Sequence, residues 1–195
     1  MESRFYYWGP LLLSMKLNDL DFKKVKLLCS KKNKFVNSTL VGVIKNEHNV
    51  DHIKYNEIIK PYLNNYKEVF KQYRNFKLNG DINCSSAWVN YMKQNEYNPP
   101  HTHDNCDLSS VLFISIPEKI KLENEKWKKN NTHYGGPGCI SFYYGYPGFH
   151  NTECHEFFPE EKIIFIFPKD LKHWVSPFFS KCERVSLAAN FKITD

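Results

Sequence analysis

Lys162-Ile163-Ile164-Phe165-Ile166-Phe167-Pro168-Lys169-Asp170-Leu171-Lys172-His173-Trp174-Val175 is the stretch from which the fold can be read. The apolar run Ile163 to Phe167 has the length of one buried strand, and Pro168 with the polar residues after it breaks that run. The turn delivers His173 onto a second strand. Short apolar runs set between Gly, Pro and Asn recur from Asn83 onward. They give candidate strands at Ala87 to Tyr91, Leu108 to Ile116, Ile120 to Glu123, Cys139 to Tyr144, Lys162 to Phe167, His173 to Val175 and Arg184 to Phe191. Turns fall at Asn98-Pro99-Pro100, Gly135-Gly136-Pro137-Gly138 and Tyr146-Pro147-Gly148. This spacing predicts a mainly β sandwich or barrel.

The first eighty residues have another texture. Leu20, Val25, Leu27 and Leu28 mark one helix, about Asp19 to Ser30, and Ile58, Ile59, Tyr62, Leu63 and Tyr66 follow a helical period in a second, about Val50 to Phe76. A break in the second helix would fall near Lys60, just ahead of Pro61. The expected organisation is one domain over 1–195, with residues 1–80 as a helical support and 83–195 as the β core. A chain of 195 residues buries roughly 70 % of its unfolded surface and needs no staples. Aromatic residues, 16 % of the chain, lean towards β structure.

The net charge of +6 comes from scattered lysines, with only short runs at Ser30 to Lys34 and Lys126 to Lys129, so nucleic-acid binding is not signalled. The apolar run Leu11 to Leu13 is too short for a signal sequence or a membrane span, and a cytoplasmic protein is expected. Six cysteines without a CxxC pair read as reduced thiols. Nothing in the sequence fixes an oligomeric state.

Chemistry concentrates in three places. In Tyr97-Asn98-Pro99-Pro100-His101-Thr102-His103 the prolines favour extended backbone, where residues at i and i+2 share a face. Two imidazoles so placed are able to converge on one ion, although taken alone the tripeptide reads more readily as two partly exposed histidines beside a turn. His173 supplies a third imidazole from the quoted stretch. Eleven residues beyond it, Arg184, Ser186, Ala188 and Asn190 share one strand face by period two. An inward arginine on a strand is costly unless an anion meets it, and a carboxylate is its best-matched partner. Other groupings are weaker. His150, Cys154 and His155 read as a surface loop rather than a zinc site, His48 and His52 as a solvated turn or helix start, and Tyr143, Tyr144, Tyr146 and Phe149 as a barrel edge or a substrate mouth.

These segments resemble the iron(II) and 2-oxoglutarate-dependent dioxygenases, which carry an HxD/E pair, a distant histidine and an arginine about ten residues further on. Trp88-Val89-Asn90-Tyr91, His101-Thr102-His103, Asp107-Leu108-Ser109-Ser110-Val111 and Leu171-Lys172-His173 look like an oxygenase branch of aquatic phages and bacteria in which HxH replaces HxD. The opening Phe5-Tyr6-Tyr7-Trp8-Gly9-Pro10 is similar to that branch's N-terminus, and a phage origin would make the compartment a host cytoplasm. The resemblance implies a double-stranded β-helix of the jelly-roll or cupin-like kind. It makes His101, His103 and His173 ligands of Fe(II), with His103 in the carboxylate slot and Asp104 or Asp107 as alternatives there. It gives Arg184 and Ser186 the distal carboxylate of 2-oxoglutarate, with Tyr91 completing that pocket. The implied reaction consumes O2 and hydroxylates a C–H bond of a peptide, of proline type, or of a small molecule, releasing succinate and CO2. A three-histidine cupin enzyme without 2-oxoglutarate and a non-catalytic β-barrel binding module remain the competing readings.

Overall fold

The computed structural model describes residues 9–36, 41–131, 133–146, 148 and 153–194. The residues Phe5 to Trp8, Pro147, Phe149 and His150 named above lie outside that set. The elements in chain order are β1 (Leu13–Lys16), α1 (Asp19–Leu28), β2 (Glu47–Asn49), α2 (His52–Arg74), β3 (Asp81–Lys93), β4 (Asn98–His101), β5 (Leu108–Ser115), α3 (Glu118–Asn130), β6 (Ile140–Tyr143), β7 (Cys154–Phe157), β8 (Ile163–Pro168), β9 (Lys172–Val175) and β10 (Glu183–Thr194). The strands form a six-stranded sheet in the order β1-β8-β5-β10-β3-β2 and a four-stranded sheet in the order β4-β9-β6-β7. The pairings within both sheets are antiparallel. This is the mainly β, double-stranded β-helix that the sequence implied.

Strand parity divides the interior into two clusters. Met92 of β3, and Val111, Phe113, Phe165 and Phe167 from β5 and β8, pack against Ile140, Phe142 and Val175 of the smaller sheet. Odd-numbered β3 residues Ala87, Val89 and Tyr91 face the other way, against Val25 of α1 and Tyr55, Ile59 and Leu63 of α2. The helices thus back the large sheet and leave its other face for the site. Helix α1 starts where the Asn18 side chain accepts the Asp21 amide at 2.8 Å.

Three sequence expectations change. Ile120 to Glu123 is no strand but part of α3: Ile120 and Asn124 are buried at i and i+4 while Leu122 is 57 % exposed, a helical period that the short alternation of Ile, Lys and Leu conceals. Helix α2 runs unbroken from His52 to Arg74 with Pro61 inside it, because its buried stripe of Tyr55, Ile59, Leu63 and Tyr66 holds both halves on the sheet. Residues before position 80 also contribute β1 and β2, the two edges of the large sheet. Among the described residues, no helix is long and apolar enough to cross a membrane.

Candidate active site

The three histidines meet because the small sheet pairs β4 with β9. His101, the last residue of β4, lies directly across from His173, and their ring centroids are 4.3 Å apart. Beyond His101 the strand ends, so His103 is not held by strand parity. Its amide instead donates to the Lys169 carbonyl at 3.0 Å, which ties the loop to the turn before β9. The Nε2 atoms of His103 and His173 stand 3.3 Å apart. Two nitrogens bound to one ion at roughly 2.1 Å, at angles between octahedral and tetrahedral, lie about 3.0 to 3.4 Å from each other. All three ligand atoms fall within 4.8 Å of one another.

Hydrogen bonds set the ring orientations. His101 Nδ1 is 2.7 Å from the Pro99 carbonyl, and His173 Nδ1 is 2.9 Å from the Leu171 carbonyl. A carbonyl only accepts, so each Nδ1 carries the proton and each Nε2 turns a lone pair to the common point. Burial lowers the His101 pKa. Burial and the nearby His101 push His103 down to about 4 and His173 to about 3. Phe167 and Phe142 pack on the His173 ring at 4.7 and 5.8 Å and supply that apolar surround. Neutral imidazole is the form that binds a metal. Among the described residues this is the group of histidine, cysteine or carboxylate side chains able to hold an ion, and it includes neither Asp104 nor Asp107. Asp107 is occupied elsewhere, accepting the Ile193 amide at 2.8 Å.

An inner cavity joins the histidines to Arg184, Ser186 and Ala188 on β10. Arg184 is 2 % exposed. Its Nη1 donates to the Gly138 carbonyl at 2.9 Å and its guanidinium lies 5.5 Å over the Phe113 ring. Its Nε has no hydrogen-bond partner, and among the described residues it forms no salt bridge. Burial draws its pKa down to about 10, which leaves the cation intact at neutral pH. A buried, unneutralised guanidinium a short way from a metal-competent triad is what a dicarboxylate chelator would require.

Tyr91 is not part of this cavity. The β10 to β3 register runs without a shift from Glu183↔Lys93 to Asn190↔Ser86, so inward Arg184, Ser186 and Ala188 oppose Met92, Asn90 and Trp88. Tyr91 pairs with Val185 on the outer face, beneath Lys31 Nζ at 4.7 Å. Asn90 takes the inward place, 5 % exposed, with an Oδ1 that has no partner. Trp88, Asn98, His101 and His103 line both this cavity and an outer pocket of about 360 Å³. Glu47, Asn49 and Asp104 also border that pocket. Local sequence does not mark Trp88, Asn90, Asn98 or Glu47 as site residues, because their placement depends on strand pairing. The partner strand's polar face, Arg184, Ser186, Asn190, would have assigned Asn90 inward had the pairing been known. Tyr143 and Tyr144 border a separate surface hollow with Gly9 and Glu153.

A family model described as "Putative 2OG-Fe(II) oxygenase" matches residues 86–190, which include all three histidines and Arg184. The chain belongs to the 2OG-Fe(II) oxygenase family. It is accordingly an oxidoreductase whose cofactors are Fe(II) and 2-oxoglutarate. Comparison of the oxygenase with curated proteins gives no match. Its fold is shared with solved structures of low identity. An oxidoreductase of the 2OG-Fe(II) oxygenase family from Burkholderia pseudomallei is 11 % identical, with 93 % of this chain and 84 % of that one covered and a TM-score of 0.57. A Pseudomonas putida prolyl-4-hydroxylase is 14 % identical, with 94 % and 93 % covered and a TM-score of 0.56. HygX from Streptomyces hygroscopicus, with nickel and 2-oxoglutarate bound, is 9 % identical, with 94 % and 83 % covered and a TM-score of 0.56.

Proposed function

We propose that this oxygenase hydroxylates a C–H bond of a small-molecule or peptidyl substrate, converting 2-oxoglutarate and O2 to succinate and CO2, with one oxygen atom entering the product and the other entering succinate. The reading rests above all on one observation: three imidazoles whose ligand atoms lie within 4.8 Å of one another share a single cavity with a buried arginine that forms no salt bridge among the described residues. Nε2 of His101, His103 and His173 would hold Fe(II), which supplies the redox chemistry that activates O2. Arg184 would take the distal carboxylate of the cosubstrate, with the Ser186 hydroxyl beside it on the same strand face. Phe142 and Phe167 packed on His173 would shield that imidazole from water, and the Pro99 and Leu171 carbonyls would keep the His101 and His173 rings aimed. The outer pocket, opening beside His101 and His103, would hold the substrate. The neighbours named for prolyl-4-hydroxylase and for a hygromycin B complex support a peptide or a small molecule alike.

The competing cupin reading without 2-oxoglutarate loses to the family match. The test is anaerobic titration with Fe(II) and 2-oxoglutarate, followed by addition of O2 and measurement of succinate. Stoichiometric binding and oxygen-dependent succinate are expected. A protein that binds iron yet leaves 2-oxoglutarate unconsumed would overturn the proposal.

A further inference from the structure

The walls of the two connected spaces differ in charge. Arg184, 2 % exposed, lines the inner cavity together with the three histidines. The outer pocket carries the carboxyl groups of Glu47 and Asp104, and among its described lining residues there is no lysine or arginine, although the chain as a whole bears +6. Sheet register explains how these opposite charges share one face. Ser186 of β10 pairs with Asn90 of β3, which pairs with Glu47 of β2. Two strand spacings of about 4.8 Å each therefore separate Glu47 from the anion-binding strand.

The groups between are matched to a donor of hydrogen bonds. Glu47 is 2 % exposed, so its carboxyl group is largely removed from water. Asn90, next to it in the row, is 5 % exposed and presents an Oδ1 without a partner. Asn98, which lines both spaces, likewise has an Oδ1 without a partner. Trp88, paired with Asn49 of β2, adds an indole, the ring that attracts cations best. An ammonium group offers three N–H donors and a positive charge, and a second dicarboxylate would be repelled by the same wall. A pocket of about 360 Å³ is of small-molecule size.

We infer that the substrate of this oxygenase is a small organic amine whose ammonium group is received by Glu47 and Asp104, while its reacting carbon faces the three histidines. The inference rests on the function proposed above. It divides the labour between two connected spaces: the guanidinium of Arg184 selects the anionic cosubstrate, and the carboxyl groups of Glu47 and Asp104 select the cationic substrate.

The experiment uses the full chain loaded with Mn(II) and 2-oxoglutarate under anaerobic conditions at pH 8. Calorimetry first measures both loading steps. Two probes of equal carbon length, pentane-1,5-diamine and pentane-1,5-diol, are then titrated, and Mn(II)-induced relaxation of their methylene protons reports binding near the metal. The diamine is expected to bind at least about tenfold more tightly than the diol, the difference that one charge-assisted hydrogen bond makes. Glu47→Gln and Asp104→Asn should each erode that preference while leaving the Mn(II) and 2-oxoglutarate affinities of the wild type. Asp104 is exposed, so its variant carries the test should Glu47→Gln fail to fold. Equal affinity for the two probes, or a preference unchanged in the variants, overturns the amine assignment and leaves the oxygenase function standing. Failure of the wild type to take up Mn(II) or 2-oxoglutarate strikes the function itself and the amine assignment with it.

Discussion

Replacing Arg184 by Gln separates the cosubstrate from the metal. Arg184 is buried, still cationic at neutral pH, and held on one side only, by the Gly138 carbonyl. If its remaining N–H groups grip a carboxylate in a forked pair, each charge-assisted bond contributes about 1.5 to 3 kcal/mol, whereas a neutral glutamine amide restores about 0.5 to 1.5 kcal/mol. The net loss is about 1.5 to 5.5 kcal/mol, or roughly a 10- to 10,000-fold weaker 2-oxoglutarate Kd. Calorimetric titration of the Mn(II)-loaded protein measures this directly, and the Mn(II) affinity itself should stay put because Arg184 is not one of the metal-competent group. Thermal denaturation gives a second reading. At 100 times the wild-type Kd, 2-oxoglutarate stabilises the native state by about 2.7 kcal/mol; with the Kd raised 100-fold the same concentration yields only about 0.4 kcal/mol. An Arg184→Gln protein that binds 2-oxoglutarate as tightly as the wild type would refute the assignment of Arg184 to the cosubstrate.

Further outcomes follow from the same geometry. His103→Asp should keep a metal site and change the electronic spectrum of bound Co(II), since a carboxylate replaces a neutral nitrogen; an identical spectrum would remove His103 from the ligand set. Burial, reinforced by Glu96, raises Glu47 from the usual carboxyl range to about 7. A raised folded-state pKa favours folding below about pH 4.5 and loses that contribution as pH climbs through 7, so Glu47→Gln should raise Tm at pH 8 relative to wild type and lose the advantage by pH 4. Gly138→Ala should lower both Tm and 2-oxoglutarate affinity: the residue sits at φ +74°, a Cβ would come within 2.5 Å of Ile120 Cγ2, and the carbonyl that must move is the one holding Arg184. Unchanged 2-oxoglutarate binding in a folded Gly138→Ala protein would show that the carbonyl does not position Arg184.

The local sequence determined the strands best. Ile163 to Phe167 and the face of Arg184, Ser186, Ala188 and Asn190 could be read because apolar length and period two are properties of consecutive residues. The metal-competent group was legible for a similar reason, since histidines are few and His101, His103 and His173 stand in or beside strand signals. What the sequence left undecided depends on partners distant in the chain. The inward side of β3 is chosen by its register with β10, and in Trp88-Val89-Asn90-Tyr91 both parities carry large side chains, so the segment alone does not show that Asn90 rather than Tyr91 faces inward. The helix at Glu118–Asn130 is chosen by burial of Ile120 and Asn124 against the rest of the fold, which outweighs a four-residue alternation. Glu47 reaches the pocket only because β2 adds to the edge of β3. Period and composition act within a few residues, whereas register, sheet edges and the meeting of charges in one cavity are set by contacts across the whole chain, and those the tertiary structure alone decided.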